Sequence, residues 1–165
     1  MTTDATVKVF FASPQFAVVG ASSNPAKFGH KVFVWYQDHA LSVTPINPIT
    51  PSIKTRHGTH PTLKSLSDLP EPTNTSLSII TPPPATLEVL REARRVGIPA
   101  VWLQPGTWDD AVMAFARGAD GKEGKEGKDG EGYQGAVVAG EGGGGHGGWC
   151  VLVDGEEGMK EVGQL

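Results

Sequence analysis

The sequence predicts an α/β fold: a doubly wound parallel sheet of five or six strands, with helices on both faces, in a single domain. An apolar run without polar alternation, Phe16–Val19, and the short runs Leu77–Ile80 and Ala100–Leu103 read as strands buried on both faces. Each run is followed by a loop rich in small residues, proline or glycine and then by a helical pattern, which is how βαβ units with right-handed crossovers read. A chain of 165 residues is long enough for one well-buried domain and too short for two of ordinary size.

In order along the chain, residues 1–8 read as a loose leader, and FFASPQ (10–15) packs against the first strand. That strand runs into Gly20, and Ala21, Ser22, Ser23, Asn24 and Pro25 turn the chain. A helix from about Gly29 to Ala40 places Val32, Phe33, Tyr36 and Ala40 on one apolar face. Val43–Ile46 is a second strand, kept brief or at an edge by Pro45. The basic, proline-punctuated segment 47–61 is irregular, with a very short edge strand around Gly58–His60. Residues 62–66 read as a helical turn, stopped by the cluster from Asp68 to Pro72.

The next strand, Leu77–Ile80, ends at Thr81-Pro82-Pro83-Pro84, and a helix from Ala85 to Val96 stops at Gly97. Ala100–Leu103 is a further strand with the exit loop Gln104–Thr107, followed by a helix from Trp108 to Arg117. From Ala119 to Gly148, 13 of 30 residues are glycine and charged residues make up much of the rest. Such a composition buries too little apolar surface to offset its ordering entropy. It reads as a flexible insertion, or else as a docking segment for a protein partner. Trp149–Val153 reads as a last strand at the sheet's far edge. The domain is thus expected over 10–154, with tails at 1–9 and 155–165.

The first strand, its small-residue turn and the helix that follows make an anion-binding corner, where free N–H groups and the helix dipole face a guest. Lys27 adds a positive charge there. The corner is open to three readings: a turn with no ligand, a nicotinamide dinucleotide site, or another phosphate-bearing nucleotide. The dinucleotide fingerprint asks for G-x-G-x-x-G and an acid about 20 residues further on. Ser22 and Pro25 stand where its later glycines belong, and the second strand exits through Asn47-Pro48 with no acid.

The net charge of −4 gives no hint of a nucleic-acid or membrane partner. No apolar run approaches the ~20 residues of a membrane span, and the first residues lack a signal-peptide layout, so a cytoplasmic protein is the default. Cys150 is the sole cysteine, which excludes an internal disulfide, and a buried structural thiol is its commoner fate. His57 and His60, in a loop without a neighbouring Cys, Asp or Glu, make a poor metal site. No nucleophile with an evident base stands out, so the chain reads as a binding protein with no assigned catalytic residue.

In order, VVGASSNPAKFG, VTPINP, IITPPP, VWLQPGT and CVLVDG resemble the CoA-binding domain family, small Rossmann-like proteins similar to the N-terminal domain of the succinyl-CoA synthetase α subunit. The likeness covers roughly residues 10–117 and 149–154. It implies that coenzyme A or an acyl-CoA is held by Gly20, Ala21, Ser22 and Ser23 with Lys27 and Phe28, by Asn47-Pro48, by Thr81, Pro82 and Pro83, and by Leu103, Gln104 and Gly106. The synthetase's phosphohistidine lies outside this domain, and nothing here replaces it. An NAD(P) site and an acyl-CoA-using enzyme are the alternatives. The glycine-rich insertion departs from the family pattern.

Overall fold

In a computed structural model of the protein, residues 3–117, 132–140 and 150–162 are described. Five parallel strands form the sheet: β1 (Gln15–Val19), β2 (Val43–Ile46), β5 (Thr75–Ile79), β6 (Ala100–Leu103) and β7 (Ala136–Val138), in the order β2-β1-β5-β6-β7. Between β2 and β5 an antiparallel hairpin, β3 (Ser52–Thr55) and β4 (Gly58–Pro61), stands apart from the sheet. Leu63 then runs beside β2, bridging to Ile46. Pro45 is tolerated because β2 is the sheet's last full strand on that side.

Alternation along the strands feeds two layers. Phe16, Val18 and Trp102 face α1 (Thr3–Ala12), α2 (Phe28–Asp38) and α5 (Val151–Glu161), while Ala17, Val19, Leu77, Ile79 and Leu103 face α3 (Pro83–Val96) and α4 (Asp110–Arg117). The first layer is aromatic: Phe10, Phe11, Phe16 and Trp102 meet with ring centroids 5.1–6.0 Å apart. Polar groups within it are paired. The Tyr36 hydroxyl lies 2.6 Å from Ser78 Oγ, and Ser76 Oγ donates to the Phe10 carbonyl at 2.8 Å. Burial pushes the Tyr36 phenol far above its ordinary range.

The chain departs from the sequence-based expectation at both ends. The expected leader is α1, because Val7, Phe10 and Phe11 are buried against the sheet. The far-edge strand is β7, which lies inside the stretch expected to be a flexible insertion. It pairs Ala100 with Ala136 and Trp102 with Val138, and Tyr133 beside it is buried, its hydroxyl donating to the Ile98 carbonyl at 2.8 Å. The rest of that stretch, 119–131 and 141–148, lies outside the described residues.

With β7 occupying the edge, residues 151–153 do not form a strand. They open α5, which continues to Glu161 through residues expected to be tail. The Cys150 N–H donates to Asp154 Oδ2 at 3.0 Å, and the Val151 N–H donates to Gln104 Oε1 at 3.1 Å, satisfying two donors of the helix start. Gly155 and Gly158 let α5 approach closely, since a Cβ at either would overlap Trp35 or the Val7 and Phe11 side chains. Two smaller differences concern the middle of the chain. The single short strand expected at Gly58–His60 is half of the β3–β4 hairpin, and the helical turn expected at 62–66 is a 3-10 turn at Leu66–Asp68.

Candidate ligand-binding site

From β1 the chain winds outward to β2, then crosses to β5 on the other side of β1. The switch point therefore lies between the carboxyl ends of β1 and β5, where open α/β sheets bind ligands. Gly20 leaves β1 with φ +91°, and a Cβ there would sit 2.5 Å from the Ile80 carbonyl oxygen. Gly29, in the first turn of α2, is pressed so close that a Cβ would overlap the Gly20 carbonyl oxygen. Strand, loop and helix start are thus drawn together by two residues without side chains.

The loop between them is fixed from three directions. Asn47 Nδ2 donates to the Ala21 carbonyl at 3.1 Å, and the Lys54 N–H on β3 donates to Ser23 Oγ at 2.9 Å. His30 Nδ1 lies 2.9 Å from the Ser22 carbonyl. A carbonyl only accepts, so Nδ1 carries a proton. Helix α2 begins at Phe28 with no side-chain cap and no acid in its first turn. Its positive end is therefore not neutralised by the chain itself.

Two cavities flank this loop. One, of about 670 Å³, is lined by Ser23, Pro25, His30, Lys31, Val34, Lys54, Thr55 and Arg56. Three permanent cations and one histidine converge there. The other, of about 210 Å³, lies at the carboxyl ends of β1, β2 and β5. Val19, Ile46, Leu66, Ala85 and Val89 supply apolar walls, with Gly20, Asn47, Pro48 and Thr81 from the strand exits and Lys64, Ser65 and Glu92 completing the lining.

The hairpin that carries Lys54 and Arg56 is tied to α2. Asp38 accepts from Arg56 and, at 2.7 Å, from His57 Nε2. These bonds, led by the one from His57, hold the Asp38 carboxyl below its usual range. Thr55 Oγ1 donates to Gln37 Oε1 at 2.9 Å, and His60 Nε2 accepts from Gln37 Nε2 at 2.8 Å.

Of the residues the sequence singles out, Ser23 lines the larger cavity and Gly20, Asn47, Pro48 and Thr81 line the smaller one. The remaining sequence candidates fall elsewhere. Ala21 is buried and Ser22 half-buried within the loop itself. Lys27 is exposed and caps α2 with its backbone, and Phe28 is 56% exposed with Lys31 Nζ 5.7 Å from its ring centroid. Pro82 and Pro83 start α3. Leu103, Gln104 and Gly106 line neither cavity. Gln104 is buried, one side-chain atom capping α5 while Nε2 has no partner among the described residues. The basic residues of the hairpin were missed individually, although the basic character of 47–61 marked the region. Lys64, Leu66, Ala85, Val89 and Glu92 reach the cleft only through the tertiary fold.

Reactive groups are sparse. Cys150 is buried at the start of α5, and its burial, reinforced by Asp154, pushes the thiol up. No three His, Cys, Asp or Glu side chains among the described residues could hold a metal ion. No helix among them is long and apolar enough to cross a membrane.

The sequence profile of the CoA-binding domain matches residues 14–123, more than half of the chain. The chain belongs to the CoA-binding domain family. Solved structures share the fold. A conserved hypothetical protein from Pyrococcus furiosus is 29% identical over 61% of this chain and 83% of its own, with a TM-score of 0.55. A Thermus thermophilus protein is 27% identical over 68% of this chain and 81% of its own, at 0.57. A hypothetical protein from Pyrococcus horikoshii shares the fold across 98% of this chain and 92% of its own, with a TM-score of 0.66 at 18% identity. No functionally curated protein matches the chain.

Proposed function

We propose that the protein binds coenzyme A or an acyl-CoA across the β1–α2 loop. The observation that carries this reading is the pairing of unlike cavities on either side of one loop. CoA is itself unlike at its two ends, with phosphates at one and an uncharged pantetheine thiol at the other. In this reading the Gly20–Ser23 corner and the start of α2 receive the diphosphate. Lys31, Lys54 and Arg56 receive the third phosphate, and the pantetheine arm turns toward the cleft beside Gly20 and Thr81. NADP also carries an extra phosphate, but its nicotinamide ring offers the apolar cleft a poorer match. NAD lacks that phosphate and finds no acid at Asn47-Pro48 to grip its ribose.

We propose binding without turnover: the lining hydroxyls nearest a base, Thr55 beside His60 Nε2 and Ser65 beside Asp68, lie 3.4 Å from it, and Thr55 donates instead to Gln37 Oε1 at 2.9 Å. Cys150 lines neither cavity, and its raised pKa disfavours the thiolate. Two measurements test the reading. Native mass spectrometry of the purified protein should reveal a copurifying CoA or acyl-CoA mass. Added CoA at about a hundred times its Kd should stabilise the fold by about 2.7 kcal/mol, a shift of several degrees in Tm. A copurified nicotinamide dinucleotide, or no thermal shift with CoA, would refute it.

A further inference from the structure

The smaller cavity limits what the ligand's thiol end can carry. We infer that it is an acyl-binding subsite that accepts short, uncharged acyl groups and makes the protein prefer short-chain acyl-CoA to free CoA. This rests on the CoA reading above and adds the substrate class. The cleft's walls are aliphatic: Val19 and Ile46 from the strand ends, Leu66 from the 3-10 turn, and Ala85 and Val89 from α3. Free CoA would leave that surface facing only a thiol, whereas an acyl chain covers it.

Size sets the limit. At about 210 Å³ the cleft lies below the ~300–1,000 Å³ of pockets that enclose a whole drug-sized ligand, so it takes the thioester and only a short chain beyond it. One wall is also held in place. Leu66 is 1% exposed, and its N–H donates to Glu92 Oε1 on α3 at 2.7 Å. Ser67 Oγ donates to the same carboxylate at 3.3 Å. The boundary between the 3-10 turn and α3 is thus tied by a carboxylate and does not part readily for a longer chain. Beyond it a chain meets water or the polar Lys64 and Glu92, and extra methylenes gain nothing.

Burying one methylene is worth about fourfold in affinity. Titrating the full-length protein with CoA, acetyl-, propionyl-, butyryl-, hexanoyl-, octanoyl- and palmitoyl-CoA should show affinity rising by about that factor per carbon as far as butyryl or hexanoyl, then levelling. Ala85→Leu, on the exposed first turns of α3, should bring the butyryl-CoA to CoA affinity ratio down toward one. Leu66→Ala should move the plateau toward longer chains, and its fold can be checked by Tm beside Ala85→Leu. If CoA binds but the acyl series is flat, or keeps climbing through palmitoyl, the acyl subsite is wrong and the CoA reading survives. If neither CoA nor any acyl-CoA binds, both fall together.

Discussion

The two cavities beside the β1–α2 loop differ in nearly every property that governs recognition. The larger is lined by side chains from α2 and an excursion outside the sheet, the β3–β4 hairpin, and gathers lysine, arginine and histidine. The smaller is lined by the carboxyl ends of three sheet strands, the 3-10 turn and α3, and its walls are mainly aliphatic. What separates them is a loop whose path depends on Gly20 and Gly29. The difference teaches that one fold can set a basic cavity beside an apolar one by taking the two from different structural layers. Charge lies on the surface hairpin, where solvation of unliganded cations is retained. Apolar groups come from the core, where the sheet fixes their spacing.

The strongest way to break this arrangement is to fill the place where loop and helix touch. Gly29→Ala drives a Cβ into the Gly20 carbonyl oxygen and should cost about 3 kcal/mol, the upper part of the range for overpacking. Chemical denaturation would measure that loss, and the CoA-induced rise in Tm should vanish with it. A variant of wild-type stability and ligand response would mean that loop and helix start can separate freely.

A comparable stability change should be possible without touching recognition. Val137, on the edge strand β7, is fully buried and lines neither cavity. Val137→Ala should lower stability by about 2 kcal/mol while leaving CoA affinity as in the wild type. A loss of affinity of the same size would show that the sheet edge and the site are coupled.

That prediction concerns the part of the chain least legible in the sequence. Phe16–Val19, Leu77–Ile80 and Ala100–Leu103 could be read because each is a buried apolar run bounded by turn residues. Ala136–Val138 is only three residues long and sits among glycines, so an average over its neighbourhood hides it. Trp149–Val153 shows the opposite error. Its β-branched and aromatic residues suggest a strand, but β7 already occupies the position beside β6, and tertiary context overrides propensity.

The site divides in the same way. Gly20, Ser23, Asn47, Pro48 and Thr81 could be found from where strands end. Lys31, Lys54 and Arg56 meet only because the hairpin folds back on α2, a contact made by Asp38, Gln37, His57 and His60. No local periodicity encodes it.

The hairpin cations sharpen the comparison next. Lys54 is exposed, so Lys54→Ala should hardly change Tm. If its ammonium holds a phosphate, CoA affinity should fall roughly 10- to 150-fold, from about 1.5–3 kcal/mol for a hydrogen bond to a charged group. Lys27→Ala should cost about fivefold or less, within the ~1 kcal/mol typical of an exposed charge pair, since Lys27 lines neither cavity. Isothermal titration of the two variants ranks them, and the reverse order would move the phosphate site to the loop.

The smallest effect expected is the tether itself. Asp38 has a lowered pKa in the folded state, so its contribution is present above the ordinary carboxylate pKa and is lost as pH falls through the lowered value, below about pH 4. Because the pair is exposed, Asp38→Asn should cost no more than about 1 kcal/mol at neutral pH, less in high salt. The difference between mutant and wild type should close as the solution is acidified. A gap that persists in strong acid would mean that the carboxylate's charge does not act through this pair.

The most direct measurement is calorimetry of the wild-type protein with CoA, dephospho-CoA, NADP and NAD under one buffer and ionic strength. CoA should bind most tightly. Dephospho-CoA should bind roughly 10- to 150-fold more weakly, and the Lys54→Ala penalty should be largely absent with it. NADP should follow CoA, and NAD should be the weakest of the four. Tighter binding of either nicotinamide dinucleotide than of CoA, or equal affinity for CoA and dephospho-CoA, would contradict the assignment of the basic cavity to the third phosphate and the apolar cleft to the thiol end.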